Sequence, residues 1–303
     1  MTTPRVLSLA CPAKVNLFLE IRGRRADGFH ELGTLFQAVE TGDVLHAEPH
    51  DVIALAGAEG VTNNPDDNLV MKAARLVKAR HASRIPVGAG VRFTLDKRLP
   101  SGAGLGGGSS DAAAALRLLD ALWNLNLSAT QLQGLGAELG SDVPFFLSSA
   151  TAYGEGRGEA LSPAPAPFPF HVVIATPDSH VDTAGAYRDL ARFRTEKLQG
   201  KFGTLWEGFR REYQEQAASP AFYARLHNDF EAPVMDAYPD IATARDTLAS
   251  FAPRKTMLSG SGASVFALFE DEAAAGRACA AVAGRCRFAV VTRFLTALPA
   301  PSA

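Results

Sequence analysis

Residues Pro100–Leu116 read PSGAGLGGGSSDAAAAL. Glycines at 102, 104, 106, 107 and 108 stand directly before an alanine-rich run of strong helix propensity. Glycine in an ordered segment carries an entropic penalty, so the cluster must meet a local need. A plain flexible loop is one reading, but ordinary loops are polar and rarely feed straight into a helix. A dinucleotide fingerprint is a second, since Gly102, Gly104 and Gly107 match G-x-G-x-x-G. That motif needs a strand running tightly into the turn and a second strand after the helix. Here Lys97–Pro100 intervenes and another helical pattern follows. The third reading is a phosphate cradle. Glycines let the backbone approach an anion, and the helix that follows adds unpaired N–H groups and the positive end of its dipole.

The cradle is not a Walker A loop. The Gly200-Lys201 pair has Thr195 where that motif needs glycine, and no H-R-D or D-F-G set points to a protein kinase. Ser109 and Ser110 are placed to cap the helix or touch the anion. Asp111 falls in its first turn, as a carboxylate that the dipole favours or as a metal contact.

Patterns on either side place the loop in a mixed α+β chain. Val15, Leu17, Leu19 and Ile21 alternate with Lys14, Asn16, Phe18 and Glu20, as in a strand, and Asp27-Gly28 supplies a turn. LGTLFQAVE and DVLHAEPHDVIALAG read as further short strands. Asp67–Ala82 is helical, with Asp67 as a cap, and Val91–Lys97 alternates again. The helix after the glycines runs to about Trp123. Ser128–Gln131 is a capping box, and its helix stops near Gly140 with Pro144 just beyond. Leu161–Phe170, with four prolines in ten residues, is the linker candidate. Beyond it the order is strand, helices, two strands around a Gly-Ser turn, helix, strand, which predicts an antiparallel sheet with helices. Residues 191–222 carry no readable motif and default to a basic-acidic helix face.

Bulk composition narrows the function classes. The 303 residues are 47% hydrophobic and 20% charged, as in a globular protein with a sizeable core. A net charge of −2 predicts no strong pull toward nucleic acid or an anionic membrane. Three cysteines without C-x-x-C spacing predict neither a disulfide framework nor a zinc site and fit a reducing, cytoplasmic setting. Val6–Ala10 before Cys11 is too short for a signal peptide, and no run reaches the ~18 apolar residues of a membrane span.

PSGAGLGGGSSDAAAAL resembles the Pro-x-x-x-Gly-Leu-Gly-Ser/Gly-Ser-Ser loop of the small-molecule kinases named after galactokinase, homoserine kinase, mevalonate kinase and phosphomevalonate kinase. PAKVNLFL (Pro12–Leu19) and LSGSGASVFAL (Leu258–Leu268) resemble that superfamily's N- and C-terminal motifs, in the expected order. RADGFHEL (Arg25–Leu32) and GSDVPFFL (Gly140–Leu147) are similar to the branch that phosphorylates the 2-hydroxyl of a cytidine-diphosphate-linked branched tetritol in the non-mevalonate isoprenoid route. The resemblance implies a two-domain fold. Residues 1–165 would form a mixed β/α ATP-binding and catalytic domain, and 166–303 a ferredoxin-like antiparallel sheet with helices. It implies ATP and Mg²⁺ as cofactors, with metal ligands unassigned, and a monomer or homodimer acting on a small molecule. A kinase of the same superfamily for another alcohol, of homoserine or mevalonate type, and a non-catalytic nucleotide or sugar sensor remain alternatives.

By that resemblance Asp142 is the general base and Lys14 the cation that pairs it and steadies the moving phosphoryl group. Pro100, Ser101, Gly102, Ala103, Gly104, Leu105, Gly106, Gly107, Gly108, Ser109 and Ser110 hold the triphosphate. Asn68 at a helix start and Lys97 near the loop are candidates to hold the adenosine, or equally a helix cap and a solvated charge. Asn16 shares the Lys14 strand face, Phe29 and His30 meet the cytosine, and Tyr187 supplies a second face for the base. Asp182-Thr183 stands where a Pro-Thr pair is expected, which loosens the placing of Tyr187.

Overall fold

A computed structural model describes residues 6–59, 61–62, 64–197 and 205–302. In chain order the elements are β1 (Leu7–Arg24), β2 (His30–His50), β3 (Ile53–Ala56), α1 (Leu69–Arg80), β4 (Gly90–Asp96), α2 (Gly107–Leu122), α3 (Ala129–Leu139), β5 (Thr151–Gly156) and β6 (Ala160–Pro163). After the proline-rich segment come β7 (His171–Thr176), α4 (Thr183–Lys197), α5 (Trp206–Gln216), β8 (His227–Asn228), α6 (Glu231–Ala237), α7 (Pro239–Ala249), β9 (Lys255–Leu258), β10 (Val265–Phe269), α8 (Glu272–Ala283) and β11 (Phe288–Arg293).

The first sheet is built on the long β1–β2 hairpin, antiparallel from Leu7↔Ala47 to Arg24↔His30. One end of β2 pairs with β4 and the other with β5. β3 runs parallel to β4, β6 pairs with β5, and β8 adds a short parallel strand to β1 at Phe18 and Leu19. The sequence pattern predicted two short strands where β2 is one continuous strand. A register shift between Pro12 and Ala13, opposite Gly42, lets the strand bend rather than break. Helix α2 lies across β1 and β2 with α1 and α3 beside it. Its Ala112–Ala115 run is fully packed, because methyl side chains let the helix sit close to the sheet.

The second sheet has the order β11-β7-β10-β9, antiparallel throughout. Helices join β7 to β9 and β10 to β11, which is the ferredoxin-like arrangement of strands 4-1-3-2. One face packs against α7 and α8 through Val173, Ala267, Ala275 and Leu248. The other meets the first sheet and α5, with Val15, Leu17, Ile174, Phe266, Trp206 and Tyr213 in one cluster. β1 is therefore covered on both sides. Its alternation predicted one polar face, but Lys14, Asn16 and Glu20 are all buried. A polar group so placed must find a partner inside the protein. Glu20 accepts from the backbone N–H groups of Leu205 and Trp206 at the start of α5. The part of the 191–222 stretch between α4 and α5, residues 198–204, lies outside the described residues.

Candidate active site

The glycine loop leaves β4 through Lys97–Pro100 and enters α2 at Gly107. Its side chains alternate. Ala103 and Leu105 are buried in the core, whereas Gly102, Gly104 and Gly106 take φ of +64°, +76° and +68°. That left-handed backbone favours glycine, which has no Cβ to clash. Space forbids a side chain as well: a Cβ on Gly104 would stand 2.2 Å from the Ser259 carbonyl oxygen, and one on Gly106 would stand 3.0 Å from Lys14 Cγ. The loop's carbonyls are spent on its neighbours. Leu105 accepts from Lys14 N (2.9 Å), Ala103 from Ser264 N (3.1 Å) and Gly104 from Ser259 Oγ (3.0 Å). The first-turn N–H groups of α2 have no partner within a helix and carry the positive end of its dipole.

The loop faces a cleft of about 1290 Å³. Lys14 rises from β1 into it. The Lys14 ammonium donates to Asn16 Oδ1 (2.7 Å), Asn16 Nδ2 donates to Thr34 Oγ1 (2.8 Å), and Thr34 donates to the Phe18 carbonyl (2.7 Å). This buried relay fixes where the ammonium sits. Lys14 Nζ is 3.6 Å from Asp142 Oδ2. Burial pushes the Lys14 ammonium below the ordinary lysine value, and the Asp142 charge works against that shift. Asp142 is held by a turn that the sequence dictates. α3 ends at Gly140, Val143 N donates to the Gly140 carbonyl (3.3 Å), and Pro144 opens a short 3₁₀ turn anchored by buried Phe145 and Phe146.

Asn68 lines the cleft and caps α1, accepting from Val70 N at 2.9 Å, so the cap is one residue after the expected Asp67. Lys97 also lines the cleft, bound to two carboxylates: its ammonium donates to Asp43 Oδ2 (2.6 Å) and Asp111 Oδ2 (2.8 Å). Burial opposes its charge, yet Asp111 and Asp43 hold it above the usual lysine range. Asp43 Oδ1 accepts from the N–H groups of Arg98 and Leu99 as well, tying the loop's entry to β2. Asp111 is thus engaged by an ammonium, while its Oδ1 and the Ser110 hydroxyl are buried without a hydrogen-bond partner.

At the other end, His30 stacks on Tyr187, with centroids 4.3 Å apart and planes 12° from parallel. Tyr187 meets Phe230 edge-on at 4.9 Å. The stacked pair occupies one Tyr187 face, so no base fits between these two rings as they stand. Burial first, then the charges of Arg24 and Arg194, hold the His30 imidazole below its ordinary value. Phe29, at the tip of the β1–β2 turn, is 53% exposed and faces the same cleft.

Several lining residues escaped the sequence reading. The β9–β10 loop brings Gly260, Ser261 and Gly262 beside the first glycine loop, and Asn228 Nδ2 holds the Gly260 carbonyl at 2.8 Å. The SGSG stretch was their signal. Ser261 meets Thr183 (3.2 Å), while Asp182 accepts from Gly185 N (2.8 Å) at the start of α4. Ser141 sits inside the GSDVPFFL stretch, beside Asp142, whereas Arg157 carried no signal.

Among the described residues no group of three His, Cys, Asp or Glu could hold a metal ion. Asp43 and Asp111 are taken by Lys97, and Asp142 faces Lys14. The donor set fits Mg²⁺ as an ion carried in on phosphate oxygens and water rather than one caged by protein. Among the described residues no helix is long and apolar enough to cross a membrane.

Comparison with known proteins agrees with this geometry. Residues 68–150 match the family described as GHMP kinases N terminal domain, and residues 215–287 the GHMP kinases C terminal. The 4-diphosphocytidyl-2-C-methyl-D-erythritol kinase of Hahella chejuensis is 38% identical over 274 residues, covering 88% of this chain and 86% of that protein. That of Paraburkholderia phytofirmans is 40% identical over 275 residues, covering 90% and 89%. A crystal structure of 4-(cytidine 5'-diphospho)-2C-methyl-D-erythritol kinase superposes with a TM-score of 0.77 at 35% identity, covering 95% of this chain and 98% of that one. Homoserine kinase from Cytophaga hutchinsonii, at 17% identity and a TM-score of 0.72, shares the fold. A relative this similar over nine-tenths of the chain leaves one assignment: the chain belongs to the 4-diphosphocytidyl-2-C-methyl-D-erythritol kinase family of the GHMP kinases.

Proposed function

We propose that this chain transfers the γ-phosphoryl group of ATP to the 2-hydroxyl of 4-diphosphocytidyl-2-C-methyl-D-erythritol. The observation that carries the reading is the Lys14–Asp142 pair, 3.6 Å apart and facing the same cleft as the positive end of α2. Phosphoryl transfer needs charge neutralisation and in-line alignment more than covalent help. The N–H groups of the glycine loop and α2 receive the triphosphate tail. Lys14, pinned through Asn16 and Thr34, meets the charge on the transferring group. Asp142 orients the acceptor hydroxyl and takes its proton as the new P–O bond forms and the bond from the γ-phosphorus to the β–γ bridging oxygen breaks, with ADP as the leaving group. Asn68 and Lys97 hold the nucleoside, and the Phe29 ring and the His30 edge receive the cytosine, with Tyr187 stacked against His30. Mg²⁺ supplies neutralisation of the phosphate charge when bound.

An ADP-release assay compares the cytidylyl tetritol with homoserine and mevalonate, with and without Mg²⁺. ADP release on the cytidylyl tetritol alone, dependent on Mg²⁺, is expected. Turnover of either other alcohol at a comparable kcat/KM shifts the assignment to that substrate. ATP binding without ADP release on any of the three makes the chain a sensor.

A further inference from the structure

Two hairpin turns meet at the rim of the cleft. The β1–β2 turn carries Phe29 and the β5–β6 turn carries Arg157, and both residues line the cleft. The turns are fastened together, because Gly156 N donates to Glu31 Oε1 at 3.1 Å. Arg157 is fixed within its own turn: its N–H donates to Glu159 Oε2 (2.6 Å), and its Nε lies 3.6 Å from Glu159 Oε1. Its guanidinium lies over the Phe29 ring, 4.9 Å from the centroid. On the other side of the turn, Asp27 Oδ1 accepts from Phe29 N at 3.1 Å. A phenyl ring 53% exposed on a hairpin tip rotates freely unless something holds it. Here a planar cation covers one face.

We propose that Arg157 is a positioning residue for the phosphoryl acceptor: by stacking on Phe29 it holds that ring in the cleft, with the opposite face presented to the planar pyrimidine of the substrate. The proposal rests on the reading of Phe29 as a base contact. Its physical content is preorganisation. A ring ordered before binding loses no rotamer freedom on binding, so the bound base keeps the full stacking energy. The guanidinium stays charged at every working pH, so the effect is independent of pH. It acts on one substrate only, since the glycine loop and Lys97 lie elsewhere in the cleft.

The test is a double-mutant cycle of Arg157→Leu and Phe29→Leu, read as KM for the cytidylyl substrate, KM for ATP and kcat. Arg157→Leu alone is expected to raise KM for the cytidylyl substrate about two- to five-fold, the size of an exposed cation–π contact. It should leave kcat and the ATP KM unchanged and add nothing in the Phe29→Leu background. Arg157→Lys should recover part of the loss, because it keeps the charge without the plane. If the two substitutions multiply, Arg157 touches the substrate directly and the positioning role is overturned. If Phe29→Leu raises KM and Arg157→Leu does not, the proposal alone falls. If Phe29→Leu leaves KM unchanged, the base-contact reading falls and takes the proposal with it.

Discussion

Lys14 Nζ stands 3.6 Å from Asp142 Oδ2, although one residue belongs to a central strand and the other to a turn after α3. The distance is that of an ion pair. The surroundings make it a tense one: Lys14 is buried and pushed toward its neutral form, while about a third of the Asp142 side chain is open to solvent. An anionic phosphoryl group entering beside Lys14 supplies the stabilisation that burial withholds. Lys14→Met removes the charge and leaves Asn16 Oδ1 without its donor. Asp142→Asn keeps the shape and removes the carboxylate proposed as the base. Each is expected to lower kcat by about 10²–10⁴, with a far smaller change in Tm for the more exposed Asp142. An Asp142→Asn enzyme turning over within twofold of the parent takes Asp142 out of the chemistry.

The glycines of the loop are not equivalent. Gly104→Ala combines φ of +76° with a methyl 2.2 Å from the Ser259 carbonyl oxygen, and backbone does not yield. It is expected to cost more than about 1 kcal/mol, or a few degrees of Tm. Gly108→Ala places its methyl within α2 with only Leu69 Cδ1, 3.9 Å away, beside it. Its Tm should hold or rise slightly, since alanine favours the helix. Because Gly108 faces the cleft, its ATP KM should still increase. Thermal melts and ATP titrations of the two variants separate folding from binding. Equal Tm losses contradict the account.

That contrast shows which parts of the site could be read from sequence. A glycine cluster before an alanine run is local, and its meaning survives without knowledge of the fold. The capping box at Ser128–Gln131 was legible for the same reason, and both of its hydrogen bonds form. Lys14 and Asn16 were legible as partners on one strand face, but not as buried. Burial comes from the second sheet and α5, which arrive through long-range packing that alternation cannot report. The Asp43–Lys97–Asp111 cluster was invisible, because it joins β2, the end of β4 and α2. Asp111 read alone was a first-turn carboxylate or a metal contact; α2 begins at Gly107, which puts Asp111 beyond its first turn and against Lys97. Arg157 was silent because the contact that defines it crosses two hairpins.

His30 and Tyr187 give a third test. His30 is held below the ordinary imidazole value by burial, Arg24 and Arg194, which favours its neutral form. A neutral imidazole offers one donor and one acceptor to a base edge, and protonation removes the acceptor. KM for the cytidylyl substrate should therefore rise only as pH falls below the reference value of about 6.5. Tyr187→Leu removes the ring stacked 4.3 Å from His30 and should raise that KM several-fold with the ATP KM unchanged. A Tyr187→Leu effect confined to ATP would place the base elsewhere.

Asp111 is a buried carboxylate whose titration falls inside the pH range where the fold can be tested. Burial pushes its carboxyl up to about 7, Lys97 pulls it back and Asp43 pushes it further. The sign follows from linkage. The folded value lies above the unfolded one, near 3.9, so the folded state binds more protons between the two. The stability this proton provides is present in full below about pH 4, drains away as pH rises toward 7 and is gone above it. Asp111→Asn has no such titration. Its amide oxygen can still accept from Lys97, and its NH₂ can donate to Asp43. Parent and variant should differ least near pH 4, diverge toward pH 7 in favour of the variant, and run parallel beyond. Lys97 and Asp43 are coupled to the same proton, which limits the expected divergence to roughly 1–3 kcal/mol, or several degrees of Tm. Melting curves of the two proteins across pH 4–9 decide it. Parallel curves through the whole range would mean that Asp111 is ionised in the fold at all these pH values, fully neutralised by the ammonium 2.8 Å away.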